Sequence, residues 1–124
     1  MRSLAFVVLL GALACAPPAS PAGVTPVLVT DSASARYIGK VARVEGTVAQ
    51  VKGRAHHGFA YLNFGRPHPD ESFAVLIPDS VVARFGDLTR FEGHRARATG
   101  TLWLQDGKYP AMTLTEPAAL ELLP

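Results

Sequence analysis

The chain has 124 residues, 48% of them hydrophobic and 18% charged, which fits one folded domain and excludes disorder along the whole length. Twelve basic and ten acidic side chains leave a net charge of +2, which excludes a protein whose affinity depends on overall positive charge. One cysteine excludes an internal disulfide, and with four scattered histidines it argues against a structural zinc site.

The N-terminus has the pattern of an export signal. Arg2 precedes an apolar run over residues 4–14, which is too short for a permanent membrane span but has the length of a signal-peptide core. The segment Gly11-Ala12-Leu13-Ala14-Cys15 resembles a bacterial lipobox, although Ala12 stands where such motifs prefer leucine. The resemblance implies lipidation of Cys15; the alternative is a secreted chain that keeps an N-terminal cysteine.

Three regions follow from this pattern. Residues 1–14 are predicted to be a signal peptide, residues 15–30 a lipid-attachment cysteine with a proline-rich tether, and residues 31–124 the folded domain. The expected location is the cell envelope, anchored to a membrane by lipid. The outer membrane or periplasm is favoured in a cell with two membranes, because no aspartate follows Cys15.

The folded region is predicted to be mainly β. A short extended piece at 27–29 is followed by Asp31 as the N-cap of a two-turn helix, and Gly39 ends that helix. The predicted strands cover residues 40–52, 59–64, 72–77, 94–104 and 109–115, with a short helix at 80–85 and a last extended piece at 118–122. Residues 52–58 are predicted to be a loop, and Asp106-Gly107 signals a hairpin turn.

An internal repeat relates two of the predicted strands. Residues 37–48, YIGKVARVEGTV, align with residues 91–102, FEGHRARATGTL, at a shift of 54 positions. Each copy has a glycine before its strand and another inside it, Gly46 or Gly100, where glycine typically marks a bulge or a sharp bend. Two copies are too few for a solenoid, so we interpret them as equivalent corners of one barrel.

The order of elements is that of a small Greek-key barrel. Tyr37-Ile38-Gly39-Lys40, Val44-Glu45-Gly46-Thr47-Val48, Tyr61-Leu62-Asn63-Phe64-Gly65 and Arg97-Ala98-Thr99-Gly100-Thr101 resemble bacterial OB-fold domains related to the tRNA-anticodon-binding and exported-nuclease-associated families. The resemblance covers residues 31–122. It implies an all-β, five-stranded Greek-key OB-fold barrel with one short helix. His94 departs from the lysine that is usual in the family, and the low net charge weakens the implication of nucleic-acid binding.

No catalytic motif is recognised, and we predict no enzyme activity, no cofactor and no metal. There is no G-x-S-x-G and no phosphate-binding loop, and Asp70-Glu71 is the sole acidic pair. A metal site could form from His56, His57, His68 and Asp70 only if the loops at the two ends of the second strand met. We therefore interpret the histidines as solvated loop residues.

Binding is the class of function that the residues favour. Exposed aromatic rings beside cations suit single-stranded nucleic acid, because bases stack on rings while cations meet phosphates. The predicted ligand-binding residues are Arg43, Lys52, Arg54, Tyr61, Asn63, Arg95, Arg97, Trp103, Lys108 and Tyr109.

Other interpretations of these residues stay open. The arginines of the first and fourth strands would otherwise pair with Glu45 or Glu92, and Phe64, Phe73, Phe85 and Phe91 are predicted to be core. The expected ligand is single-stranded nucleic acid or another polyanion. The alternative function is an envelope lipoprotein that holds a protein partner and binds no nucleic acid.

Overall fold

A computed structural model describes residues 25–56 and 58–124, and it describes no side chains at 54–57. Within these residues the strands are β1 Val27–Thr30, β2 Val41–His56, β3 Phe59–Phe64, β4 Phe73–Pro78, β5 Arg95–Thr101, β6 Trp103–Gln105, β7 Tyr109–Thr113 and β8 Leu120–Leu122. Short 3₁₀ helices cover Asp31–Tyr37, Val82–Phe85, Leu88–Phe91 and Pro117–Ala119. No helix in the described ranges is long and apolar enough to cross a membrane. The proposed signal peptide and Cys15 lie outside the described residues.

The long strand β2 organises the sheet. Its first half pairs antiparallel with β5, with Val44 opposite Ala98, and β1 runs parallel to the same half on its other side. Its second half pairs antiparallel with β3, with a register shift between Val48 and Gln50. One strand thus serves two parts of the sheet, and the irregularity lies where it passes from one to the other.

The remaining pairs complete a mostly β architecture. β3 pairs antiparallel with β4, β4 runs parallel to β7, and β7 pairs antiparallel with β6. The strand order is β6-β7-β4-β3-β2-β5-β8, and only Leu102 separates β5 from β6. This mixed sheet is compatible with an OB-like barrel.

The two copies of the internal repeat pair with each other. The Gly39 N–H donates to the Leu102 carbonyl at 2.8 Å, and the equivalent Gly93 N–H donates to the Val48 carbonyl at 2.7 Å. Gly39 and Gly93 are equivalent in the repeat, and so are Val48 and Leu102. In the first bond the donor belongs to the first copy, and in the second bond the donor belongs to the second copy. The strand pair therefore has a local pseudo-twofold axis, and each copy follows a 3₁₀ helix.

The core lies between the two parts of the sheet. Its largest fully buried side chains include Phe64, Phe73 and Phe91, and the rings of Phe64 and Phe73 meet edge to face at 5.0 Å. Phe85 is also buried, so the prediction that these four phenylalanines are core is confirmed. Every residue from Phe73 to Ile77 is buried, which shows that β4 is covered on both faces.

The predicted helices differ from the structure. Residues 31–37 and 82–85 form 3₁₀ turns rather than α-helix. Thr30 is the cap residue of the first turn and makes no side-chain capping bond. The Asp31 carboxylate instead accepts the hydroxyl of Ser72, which joins this helix to the end of the β3–β4 connection. A long-range partner thus replaces the local capping bond that the sequence predicts.

The predicted strands differ in number and length. The fourth predicted strand is divided at Leu102, whose N–H donates to the Lys40 carbonyl. The predicted loop at 52–58 is largely strand, because β2 continues to His56 and pairs there with Phe59. The described residues have eight strand segments: the two short extended pieces predicted at 27–29 and 118–122 are strands β1 and β8, and the fourth of the five predicted strands is divided into β5 and β6.

Candidate nucleic-acid interface

An aromatic surface covers the side of β3, β4, β6 and β7 that faces away from the main core. Strand alternation places Leu62 in the core and Tyr61 on this side. A small second cluster of Ala74, Leu76 and Ala111 lies here, fully or almost fully buried. The partly buried rings packed against it belong to Phe59, Tyr61, Trp103 and Tyr109, and we call these four the aromatic face.

The sheet register explains why the rings gather here. Asn63 lies opposite Ala74, Ala74 opposite Ala111, and Ala111 opposite Trp103, so one row crosses four strands. Ala74 and Ala111, at the centre of this row, have short side chains that the neighbouring rings shield from solvent. The rings cover them and form the accessible part of this side, with Phe59 and Tyr61 in edge contact at 6.5 Å.

A polar cluster closes one end of the aromatic face. The Asn63 amide donates to Gln50 Oε1 at 2.9 Å, and the backbone N–H of His68 donates to the same oxygen at 3.1 Å. His68 Nδ1 lies 2.9 Å from Glu71 Oε2. We call Gln50, Asn63, His68 and Glu71 the polar cluster. It joins strands β2 and β3 to the loop at 65–72.

Two acceptors in the polar cluster have no partner. Asn63 is 1% exposed and the Glu71 side chain is fully buried, yet neither Asn63 Oδ1 nor Glu71 Oε1 accepts a hydrogen bond from the described residues. Buried polar atoms are nearly always paired, because an unpaired one costs about 1–3 kcal/mol. Each of these two oxygens can therefore accept one more hydrogen bond, and at Glu71 an incoming donor would compete with the neighbouring Tyr109 hydroxyl.

Tyr109 connects the polar cluster to the aromatic face. Its ring meets the His68 ring edge-on, with centroids 6.4 Å apart. Burial raises the pKa of Tyr109 to about 12, and the nearby negative charge of Glu71 adds to the shift. The phenol is neutral at physiological pH, and its O–H is a donor beside the Glu71 carboxylate.

A groove runs between the loop at 65–71 and the β6–β7 hairpin. Side chains of both signs line it, and they belong to Arg66, His68, Asp70, Glu71, Asp106 and Lys108, with Tyr109 beside them. Lys52 lies opposite Tyr61 at another edge of the aromatic face. Among the described residues, Lys52, Arg66 and Lys108 form no ion pair, so their charges face solvent.

The structure brings part of the predicted ligand set together. Tyr61, Trp103 and Tyr109 are on the aromatic face, and Lys52 and Lys108 are at its edges. Asn63 points away from the main core as expected, but the polar cluster buries it. The side chain of Arg54 lies outside those that the structure describes.

The other predicted arginines lie on a different part of the sheet. Arg97 Nε donates to Glu45 Oε2 at 2.7 Å, Arg95 Nη2 lies 3.5 Å from Glu45 Oε1, and Arg97 also approaches Glu121 at 3.5 Å. The interpretation that these arginines pair with Glu45 therefore holds for Arg95 and Arg97. Glu92 accepts a hydrogen bond from the backbone of Val51 instead, and Arg43 is exposed.

Sequence reasoning missed Gln50, Phe59 and Glu71. Glu71 follows two prolines and an aspartate, so its burial could not be predicted from composition. One usable signal was the unbroken apolar run of β4, FAVLIP, since a strand that is apolar on both faces needs cover on both. No group of three His, Cys, Asp or Glu side chains in the described part of the chain is placed to hold a metal ion. The side chains of His56 and His57 are outside those that the structure describes.

The sequence matches no protein-family model and no curated protein. Solved structures do match, among them one described as the "Crystal structure of a putative aspartyl-tRNA synthetase from Leishmania major Friedlin". It is 7% identical to this chain, with a TM-score of 0.48 over 86% of the chain. The chain spans 22% of that protein's length.

Proposed function

We propose that this chain is a non-enzymatic binding module whose aromatic face holds single-stranded nucleic acid. The observation that carries the proposal is the aromatic face itself, four rings on one side of a sheet with unpaired cations at its edges. Stacking of a base on a protein ring contributes about 1–3 kcal/mol and tolerates any sequence. Lys52, Arg66 and Lys108 are the cations that would meet phosphates.

We further propose that the fold is a five-stranded Greek-key OB barrel. In this interpretation β2, β3 and β4 are its first three strands, β5 and β6 together are the fourth, and β7 is the fifth. The parallel pairing of β4 with β7 supports it, as does the single residue, Leu102, between β5 and β6. Phe59 and Tyr61 then lie on the second strand, which is part of the surface where OB folds bind oligonucleotides, while Trp103 lies on the fourth strand and Tyr109 on the fifth.

Fluorescence anisotropy of a labelled mixed-sequence DNA 12-mer tests the proposed ligand. The sample is residues 15–124 with Cys15→Ser, which removes the lipid site. We expect micromolar affinity at 50 mM salt that weakens roughly tenfold at 200 mM, as neutralisation of two or three phosphates requires. Emission of Trp103, the one tryptophan in the chain, should change on binding. No response at high micromolar DNA and low salt would overturn the proposal.

Matched variants locate the site on one part of the sheet. Tyr61→Ala removes a ring of the aromatic face and should weaken binding about tenfold, which corresponds to the loss of one stacked base. Arg97→Ala removes a charge that Glu45 already neutralises, and we expect affinity to change less than about twofold. Equal losses for both variants would move the site to the β2–β5–β8 surface.

A protein-binding function is the second candidate. Leu28 is 64% exposed in β1, which pairs only with β2 among the described strands. An exposed apolar edge strand is a surface that another extended chain can join. Binding of this kind would tolerate high salt, which distinguishes it from nucleic-acid binding.

We also propose that the chain is exported and anchored through Cys15. The signal-like run at 4–14 and the lipobox-like segment at 11–15 support this. Acyl chains on one cysteine would hold the domain at a membrane, with the proline-rich residues after it as a spacer.

A further inference from the structure

We infer that the polar cluster selects bases that carry an exocyclic amino group, cytosine above all, over uracil and thymine. This rests on the proposed function and specifies one subsite of it. The groove that leads to the cluster lies directly beside Tyr109, one of the four rings. A base that stacks at this end of the aromatic face therefore has its hydrogen-bonding edge next to Glu71.

The free atoms of the subsite are both acceptors. Glu71 Oε1 and Asn63 Oδ1 lack donors, while Glu71 Oε2 and the Asn63 amide are already engaged by His68 and Gln50. The chain of contacts from Asn63 through Gln50 and His68 to Glu71 holds the two acceptors in place. An amino group offers two N–H donors, and a carboxylate that accepts from cytosine N4 is a standard base contact.

A carbonyl in the same place has the opposite effect. Uracil and thymine present an oxygen where cytosine presents its amino group, so they would set lone pairs against two buried acceptors and leave both unpaired. The mixed charge of the groove agrees with a nucleotide, because Arg66 and Lys108 serve the phosphate and Glu71 serves the base. His68, whose side chain is half exposed, lines the same groove and keeps its contact with Glu71 Oε2, so the base meets the other oxygen, Oε1.

Two oligonucleotides that differ at one base edge test this inference. Binding of dC12 and of the deoxyuridine 12-mer dU12 is measured by anisotropy at pH 7.5 and 50 mM salt, with residues 15–124 carrying Cys15→Ser. We expect dC12 to bind about tenfold more tightly. Equal affinity for the two strands would overturn the base selection and leave the proposed function intact. No affinity for either strand would overturn both.

Glu71→Gln is the decisive variant. Glutamine keeps one oxygen to accept from His68 and places an amide N–H₂ where the free carboxylate oxygen was, so the preference should vanish or reverse toward dU12. Glu116→Gln makes the same substitution at an exposed residue that pairs with Arg84 and does not line the groove, and it should retain the preference for dC12. An unchanged preference in Glu71→Gln, with an unchanged thermal midpoint, would show that Glu71 does not contact the base.

Discussion

Gly46 shows how one residue joins distant parts of this fold. A Cβ at this position would lie 2.6 Å from Asp31 Oδ1, closer than real Cβ contacts come. The Asp31 carboxylate cannot easily move, because it accepts the Ser72 hydroxyl. The sequence predicts a bend or bulge at Gly46. The structure adds a different reason for glycine there, the close approach of the first 3₁₀ helix.

Gly46→Ala should therefore destabilise the domain by about 1–3 kcal/mol, the usual range for a side chain forced into a packed site. Gly53, in the same strand, has open space where its Cβ would be, so Gly53→Ala is the matched control. Urea unfolding followed by Trp103 emission compares the two. Equal stability of the two variants would contradict the contact between Asp31 and Gly46.

Side-chain burial is the part of the site that the sequence determined least. Strand alternation predicts Tyr61 and Trp103, and the position directly after the turn at 105–108 predicts Tyr109; both need only the local pattern. The burial of Glu71 depends on how the loop at 65–71 folds over β3, and no local pattern encodes that. The pairing of Arg97 with Glu45 joins residues 52 positions apart, so the sequence could name it only as an alternative.

The β6–β7 hairpin is the element that the sequence predicted best. Asp106 and Gly107 both have positive φ, 53° and 67°, and the Lys108 N–H donates to the Gln105 carbonyl at 2.8 Å, so a tight turn forms within the three residues between the paired Gln105 and Tyr109. Strand β3 also has the predicted bounds, Phe59–Phe64. The break at Leu102 was not predictable in the same way, because it depends on backbone bonds to Gly39 and Lys40 far away in the chain.

Gly107→Ala should cost about 1–2 kcal/mol, because a Cβ is strained at positive φ. Asp106→Gly should cost much less, since glycine adopts the same conformation freely. Thermal unfolding of the two variants measures the difference. The hairpin also carries Lys108 and Tyr109, so a Gly107→Ala chain that keeps its stability would place these two residues in a different turn.

The whole molecule has two separate outer surfaces. On β2, β5 and β8 the charges of Glu45, Arg95, Arg97 and Glu121 largely satisfy each other, whereas the aromatic face has cations without acidic partners at its edges. The net charge of +2 conceals this division. Composition alone therefore shows neither the paired charges of one surface nor the mixed charges of the groove, where Arg66 and Lys108 lie among acidic side chains.

Acylation of Cys15 should be measurable when the intact chain is expressed in a bacterial host. The Cys15→Ser chain should lose all incorporation of labelled palmitate and leave the membrane fraction, while Ser20→Ala should behave as the unmodified chain. The reason is that acylation needs the thiol at the position after the lipobox-like segment. Label that persists in Cys15→Ser would exclude lipidation at this cysteine.

The pairing of the two repeats also determines the order in which this chain is expected to fold. β3 with β4 and β6 with β7 are neighbours in sequence, and each pair forms by closing a short loop. β2 and β5 belong to segments 54 residues apart, and they meet only after a much longer loop has closed. Contacts of such long range slow folding. The docking of one repeat on the other is therefore the late event, and until it occurs the edges of β2 and β5 stand open to pairing with another molecule.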